Sequence, residues 1–296
     1  MAVLFLTAVS VLNGCASEKL VNKAVFCFDV TCDMREYGGP QYQSSEYFSG
    51  ACEAIAEIGK GVFMVSPGDI DPPQYVNATI KKILGPEYIW YPVVGNHEAE
   101  TPADMEWLRN YTSGEIPNLV SKGPENCLET TYSFDYENSH FVVINEYYDG
   151  NSDVGTDGDI CKSLYKWLKD DLEANSKPFV FVFGHEPLVS IPDIDSGRHR
   201  HIKDSLNAHP KNSHRFQQLL REYKVVAYIC GHTHNTSFAK INGLWQLDAG
   251  HTRGIGDKNS RSSFLKVCVG RTSSWADVYR SDENGNYCLT HTIRLK

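Results

Sequence analysis

Short apolar runs recur along the chain at residues 25–28, 62–65, 91–94, 141–144, 179–183 and 225–229. They are rich in Val, Ile and Phe and bounded by polar or turn residues, as buried strands are. Between several of them the apolar positions change period. Phe48, Ala51, Cys52 and Ile55 keep the i, i+3, i+4, i+7 spacing of a helix face; so do Phe216, Leu219, Leu220 and Tyr223, and the stripe Ile160, Leu164, Trp167, Leu168 and Leu172. Alternating strands and helices predict an α/β fold. The tail differs: residues 244–248, 264–269, 276–280 and 289–294 read as strands separated by turns, which predicts a second sheet of more antiparallel strands. No repeat, low-complexity linker or domain boundary interrupts residues 20–296, and 296 residues are within reach of one large domain. The long loops, 149–159 and 192–214, are of a length usually functional or mobile.

The first residues follow another pattern. "MAVLFLTAVSVLNGCAS" holds an apolar run of about ten residues, too short to span a bilayer at ~20, and residues 1–15 read as a secretory signal. The run ends at "LNGC", which resembles a bacterial lipobox, in which the cysteine, here Cys15, is lipidated and tethers the exported chain to a membrane. An ordinary cleaved signal and a buried N-terminal strand are the alternatives. Of nine cysteines, eight remain without Cys15, an even number that permits disulfides. Cys27, Cys230 and Cys268 lie in apolar runs, where a free thiol is a small core residue. Cys127 and Cys161 lie in polar, turn-rich sequence and are the expected bridge. There is no CxxC pair, which argues against a thiolate zinc site. The net charge of −9 argues against a protein that lives on nucleic-acid phosphates; one local cationic site still suffices for a small phosphorylated substrate.

The chemistry-bearing residues cluster just past the apolar runs. "PGDID" supplies Asp69, "GNHE" supplies Asn96 and His97, "GHEP" supplies His185, and "CGHTH" supplies His232 and His234. In open α/β sheets the binding crevice lies outside the carboxyl ends of the strands, so four strands deliver Asp, Asn and His to one place. Glycines at these turns let backbone approach closely. Carboxylate, amide oxygen and imidazole together suit divalent ions such as Mn, Fe, Zn, Co or Ni.

The series GD, GNHE, GH and GHTH resembles the calcineurin-like metallophosphoesterases over about residues 24–252. The resemblance implies a four-layer α/β/β/α sandwich of two mixed sheets and a two-metal centre that hydrolyses phosphoric esters with a metal-bound hydroxide. It implies that Asp69 bridges both ions, that Asn96, His185 and His232 bind one, that His234 binds the other, and that His97 faces the substrate. The family's first motif, Asp-x-His, is absent. "CFDVTCDMREY" offers Asp33, which closes its apolar run, and Asp29, which sits mid-run; Asp33 is favoured. The missing histidine then falls on Arg35, a guanidinium that cannot ligate a metal. The expectation is one weakened metal site, held by Asp33, Asp69 and His234, with Arg35 forking onto substrate phosphate; Arg35 turned onto a surface carboxylate is the alternative. The purple acid subgroup carries a tyrosine in GDxxY, where "GDIDP" has proline, so a purple enzyme is not expected. The competing reading is a non-catalytic or single-metal surface binding protein on the same fold.

Other candidates are weaker. His199, Arg200 and His201 read as a solvated loop, with overhang of the site as the alternative. His251 is structural or lines the pocket. Asp149, Asp153, Asp157 and Asp159 form an oxygen-rich loop that a hard cation suits, or simply turns. Asn77, Asn110 and Asn235 match the glycosylation triplet, which a bacterial lipoprotein would not use. The aromatic residues read as core.

Overall fold

The computed structural model describes residues 24–296 apart from Thr156. The signal segment and Cys15 lie outside the described residues. Among these, no helix is long and apolar enough to cross a membrane.

Period-two alternation builds the middle of the molecule. In β7 (Phe179–Phe183), Phe179, Phe181 and Phe183 face one way, and Val180 and Val182 the other. The phenylalanines point between two sheets. There they meet β1 (Ala24–Val30), with Phe28 and Phe181 ring centroids 5.4 Å apart. Phe63 of β2 (Phe63–Ser66) meets Phe141 of β6 (Ser139–Val143) at 5.2 Å, and Tyr91 of β3 (Ile89–Pro92) stacks on Phe134 of β5 (Tyr132–Tyr136) at 3.6 Å. The aromatic residues are therefore largely core cement, as expected. The valines of β7 face outward with Tyr228 of β8 (Ala227–Cys230). Two helices cover them: α5 (Lys162–Ala174), through Leu164, Leu168 and Leu172, and α6 (Pro210–Glu222), through Phe216, Leu219 and Leu220. The first sheet is likewise flanked by α1 (Phe48–Ile58), α2 (Pro73–Leu84) and α4 (Pro102–Glu115); a single turn, α3 (Asn96–Ala99), precedes α4. The result is the expected α/β/β/α sandwich of two mixed sheets.

The tail departs from expectation. It forms no sheet of its own. β11 (Ser263–Gly270) pairs antiparallel with β1, and β12 (Ser274–Ser281) and β13 (Tyr287–Arg294) continue outward, giving a six-stranded sheet β13-β12-β11-β1-β2-β3. β10 (Leu244–Ala249) instead joins β8 in parallel in the second sheet. That sheet, β4-β5-β6-β7-β8-β10-β9, gains edges from β4 (Leu119–Lys122) and β9 (Thr236–Ile241).

The expected Cys127–Cys161 bridge is also corrected. Cys27 and Cys268 sit directly opposite in the β1–β11 ladder and form a disulfide, while Cys127 and Cys161 are free thiols. Both bridging cysteines lie in apolar strands, so each alone reads as core; only the strand pairing brings them together. Cys127 is held instead beside the Thr130 and Thr131 hydroxyls, at 3.3 and 3.2 Å.

Candidate metal centre

The crevice opens at the carboxyl ends of β1, β2 and β3 in one sheet and of β7 and β8 in the other. The residues past those ends reach into it by backbone bends that L-residues adopt at a cost. Asp33, Asp69, His232 and His234 all have φ between 52° and 68°, the left-handed region in which a non-glycine residue is uncommon. Such strain collects where surrounding structure fixes a functional geometry. Two glycines are required by proximity: a Cβ on Gly95 would lie 2.5 Å from Asp69 Oδ1, and one on Gly231 would lie 2.3 Å from Asp33 Oδ2. Glu98 holds two of the turns together. Its carboxylate accepts the backbone N–H groups of Asp69 (3.0 Å), Ile70 (2.8 Å) and Gly95 (2.7 Å).

The imidazoles are oriented from behind. His185 Nδ1 lies 2.8 Å from Pro67 O, and His232 Nε2 lies 3.2 Å from Asp204 O. A carbonyl oxygen only accepts, so in the neutral rings these nitrogens carry the protons. The other two nitrogens, His185 Nε2 and His232 Nδ1, then face each other as lone pairs at 3.2 Å, with Asp69 Oδ1 3.3 Å from His185 Nε2. Two lone pairs and a carboxylate oxygen converging on one point require positive charge there, from a proton or a metal ion. Burial pulls the His185 pKa down, but the Asp69 and Asp33 carboxylates outweigh it and raise it above its ordinary value. His232 is pushed down to about 2 by burial and the charges of His185 and His201. It is thus neutral and fit to ligate.

The second group is Asp33, Asp69 and His234, whose ligand atoms lie within 4.8 Å of one another. Asp33 Oδ2 accepts the His232 backbone N–H at 2.9 Å. Its Oδ1 is buried and makes no hydrogen bond, and it lies 3.4 Å from His234 Nε2. An orphaned buried carboxylate oxygen facing an imidazole fits a cation. Burial first, then Asp69, raises the Asp33 pKa, although His185 opposes them; for Asp69, burial raises it but the charge of His185 prevails and lowers it. His234 Nδ1 is held by Asp257 Oδ2 at 3.2 Å. Its pKa is pushed down to about 3 by burial, with Arg253 and Arg200 adding to the effect against Asp257.

A cavity of about 300 Å³ opens onto this cluster, lined among others by Asn96, His97, Tyr147, Glu186 and Arg200. His97 is about one-third exposed, with Nε2 3.7 Å from Asp69 Oδ2. Asp29 lies elsewhere: it is buried, and accepts Tyr88 O–H and Gly61 N–H, each at 2.7 Å. Of the two first-motif candidates, only Asp33 shares the cluster.

Arg35 takes the carboxylate pairing that was the alternative to a phosphate contact. It borders the cavity but its Nε donates to Asp71 Oδ1 at 3.0 Å, so the guanidinium is engaged by the carboxylate two residues after Asp69. The residue that meets the second group is Arg253, after β10: its Nη2 donates to His234 Nε2 at 3.0 Å. The reading of 199–201 as a solvated loop holds for the exposed His199 and is corrected for the other two residues. Arg200 and His201 line the cavity, and the His201 ring lies over His232 at 4.0 Å. His251 is structural, bonded to Ser260 O at 3.1 Å. The acidic loop is not a cation site, because its carboxylates are separately engaged: Asp149 by backbone N–H groups, Asp153 by Arg109, Asp157 by His209 and Asp159 by Asn212. Glu98, Asp204, Asp257 and Arg253 were missed by sequence reasoning. Only Glu98, inside "GNHE", had a signal.

Two facing mixed sheets with a crevice of carboxylates and imidazoles at their strand ends define an α/β protein with a metal-binding type of site. The model of the calcineurin-like phosphoesterase family matches residues 39–236, and the chain belongs to that family. The match begins after Asp33 and ends before Arg253. The tartrate-resistant acid phosphatase type 5 of Rattus norvegicus is 29% identical over 176 residues, covering 54% of this chain and 48% of the relative; the chain thus matches about half the length of that curated protein. Among solved structures, a protein described as GAP50, the anchor in the inner membrane complex of Plasmodium, superposes with a TM-score of 0.59 at 16% identity, covering 93% of this chain and 90% of that one. PhoD superposes with a TM-score of 0.61 at 12% identity, covering 92% and 70%. At these identities the two structures speak to the fold.

Proposed function

We propose that the protein is a metal-dependent phosphoric-ester hydrolase acting on a small phosphorylated substrate. The carrying observation is the convergence of His185 Nε2, His232 Nδ1 and Asp69 Oδ1, a donor set for Mn, Fe, Zn, Co or Ni. Asp69, Asn96, His185 and His232 would hold one divalent ion, and Asp33, Asp69 and His234 are the donors of a second, less well furnished place. When bound, such ions supply Lewis acidity toward phosphoryl oxygens and lower the pKa of bound water.

The protein's own residues supply the rest. The cavity is lined by the carboxyls of Asp69, Glu100, Asp157, Glu186 and Asp204 against the cations Arg35 and Arg200. A phosphate dianion would be repelled from that wall without further positive charge, which supports a metal requirement. Arg200 forms no ion pair among the described residues and borders the cavity, so it is placed to meet a phosphate oxygen. His97, on the rim, would hold the proton that the departing alkoxide needs. The volume suits a phosphoryl group with a modest leaving group.

Export, with a membrane tether through Cys15, remains our proposal. The Cys27–Cys268 disulfide supports an oxidising compartment. Mass spectrometry of the mature N-terminus decides it: a chain that begins at Met1 in the cytosol refutes export, and processing elsewhere than before Cys15 refutes lipidation. For the hydrolase, a panel of phosphomonoesters and phosphodiesters assayed with each candidate metal is the test. Turnover of at least one class with at least one ion is expected. No turnover with any combination would leave the binding-protein reading.

A further inference from the structure

We infer that the guanidinium of Arg253, rather than a second metal ion, is the cation of the Asp33–Asp69–His234 group, so that the chain holds one divalent ion beside one fixed arginine. This rests on the proposed hydrolase reading for the first ion.

The position of Arg253 is built into the fold. Thr252 N–H donates to Cys32 O at 2.8 Å, and Cys32 N–H donates back to Thr252 Oγ1 at 3.2 Å. These bonds stitch the segment after β10 to the loop after β1, one residue away from both Arg253 and Asp33. Arg253 Nε then donates to the backbone oxygen of Asp33, and its backbone N–H is held by His251 Nδ1 at 3.2 Å. The residue is only 8% exposed. A side chain held at its base, its Nε and its tip is a fixture, not a passing rotamer.

Its tip uses what a metal would need. His234 Nδ1 faces the Asp257 carboxylate at 3.2 Å, so in the neutral ring the proton is on Nδ1 and the single lone pair on Nε2. That lone pair receives the Arg253 Nη2–H at 3.0 Å. A guanidinium remains protonated at any physiological pH and cannot give the lone pair up by losing a proton. The place is already supplied with positive charge: Arg198, Arg200 and Arg253 line an adjoining cavity of about 460 Å³ that also touches His234 and Asp257, with Arg198 paired to Asp257 at 3.2 Å. A divalent ion on His234 Nε2 would have to displace Arg253 and enter beside two more arginines.

The chemical role follows. With its Nε–H and an Nη2–H engaged by Asp33 O and His234 Nε2, the guanidinium acts through its fixed positive charge, which offsets the buried carboxylates and any negative charge that develops nearby. It cannot ligate or acidify a water. Arg253 would be a fixed charge behind His234, in the place of a second ion, and the donors Asp69, Asn96, His185 and His232 would keep the ion proposed above.

Metal stoichiometry tests this apart from activity. Metal-free full-length protein is loaded with excess Mn²⁺, desalted, and assayed by elemental analysis and electron paramagnetic resonance. Wild type should retain about one ion per chain, with the spectrum of an isolated Mn²⁺. Arg253→Met should retain about two, with a spin-coupled spectrum, because the lone pair and the space are released. In the wild-type background, His234→Ala should leave the metal content unchanged; this arm and the wild-type stoichiometry decide the matter if Arg253→Met fails to fold. Two coupled ions in wild type, loss of an ion in His234→Ala, or one ion in a folded Arg253→Met would each overturn the inference while leaving the hydrolase reading intact. No retained ion in any variant would overturn both.

Discussion

Asp29 and Asp33 are four residues apart and equally buried, yet they do different work. Asp29 accepts a tyrosine hydroxyl and a backbone N–H; Asp33 leaves an oxygen unpaired beside His234. Asp29→Ala should therefore lower stability by about 1–3 kcal/mol, the cost of stranding buried donors, without changing metal affinity. Asp33→Ala strands the His232 backbone N–H and so should also cost stability, but unlike Asp29→Ala it should cost activity in protein that remains folded. Thermal melts and metal titrations on both variants check this; metal loss confined to Asp29→Ala would reverse the assignment. His97→Ala should lower kcat by ~10²–10⁴-fold, the range of general acid–base groups, with metal content preserved. Metal loss with unchanged turnover per ion would remove His97 from the proton-transfer role. At this scale the sequence was legible where a motif residue follows an apolar run, because strand periodicity says where the run ends. For Arg35, two residues after Asp33, it left two partners open, a substrate phosphate and a surface carboxylate. The Arg35 φ of 49° and the Asp71 carboxylate turn it aside. Arg253 and Asp257 lie past β10 in sequence with no period to anchor them, and only the folded contacts bring them to His234.

Between elements, the antiparallel seam of β1 and β11 is closed by Cys27–Cys268. Peptide mapping without reduction should recover that pair linked and Cys127 and Cys161 as free thiols. A Cys127–Cys161 peptide would contradict the seam. Another join is titratable. His140 of β6 lies between Asp135 of β5 at 2.7 Å and Asp171 of α5 at 2.9 Å. Burial would lower its pKa, but the hydrogen bonds and charges of Asp171 and Asp135 outweigh this and raise it above 6.5. The stabilisation is then fully present below about pH 6.5 and is lost as pH rises through the higher folded value. Replacing His140 with Gln should flatten the decline of stability from about pH 6.5 upward; an unchanged slope would show that His140 is not its source. The helices α1, α5 and α6 were legible from their apolar stripes. α2, α4, β4, β5 and β9 were not singled out. β9, "TSFAKI", for example, has too few apolar residues to stand out, and it gains its place by pairing with β10.

Over the whole molecule, the two sheets matter because the crevice lies between their carboxyl ends. Asp33, Asp69 and Asn96 follow strands of one sheet, and His185, His232 and His234 follow strands of the other. The site is therefore complete only when both sheets are docked through their aromatic interface. The tail strands were recognisable as strands, but their partners were not, since pairing β11 with β1 joins residues more than 200 positions apart. The central claim, that this crevice is a metal-dependent phosphoesterase site, is tested most directly by hydrolysis of an aryl phosphate before and after metal removal. The chelated protein should be inactive and regain activity on adding a divalent ion, and Asp69→Ala, which removes the carboxylate facing both His185 and His97, should not be rescued at the same metal concentration. Undiminished hydrolysis by exhaustively metal-free protein would contradict the account.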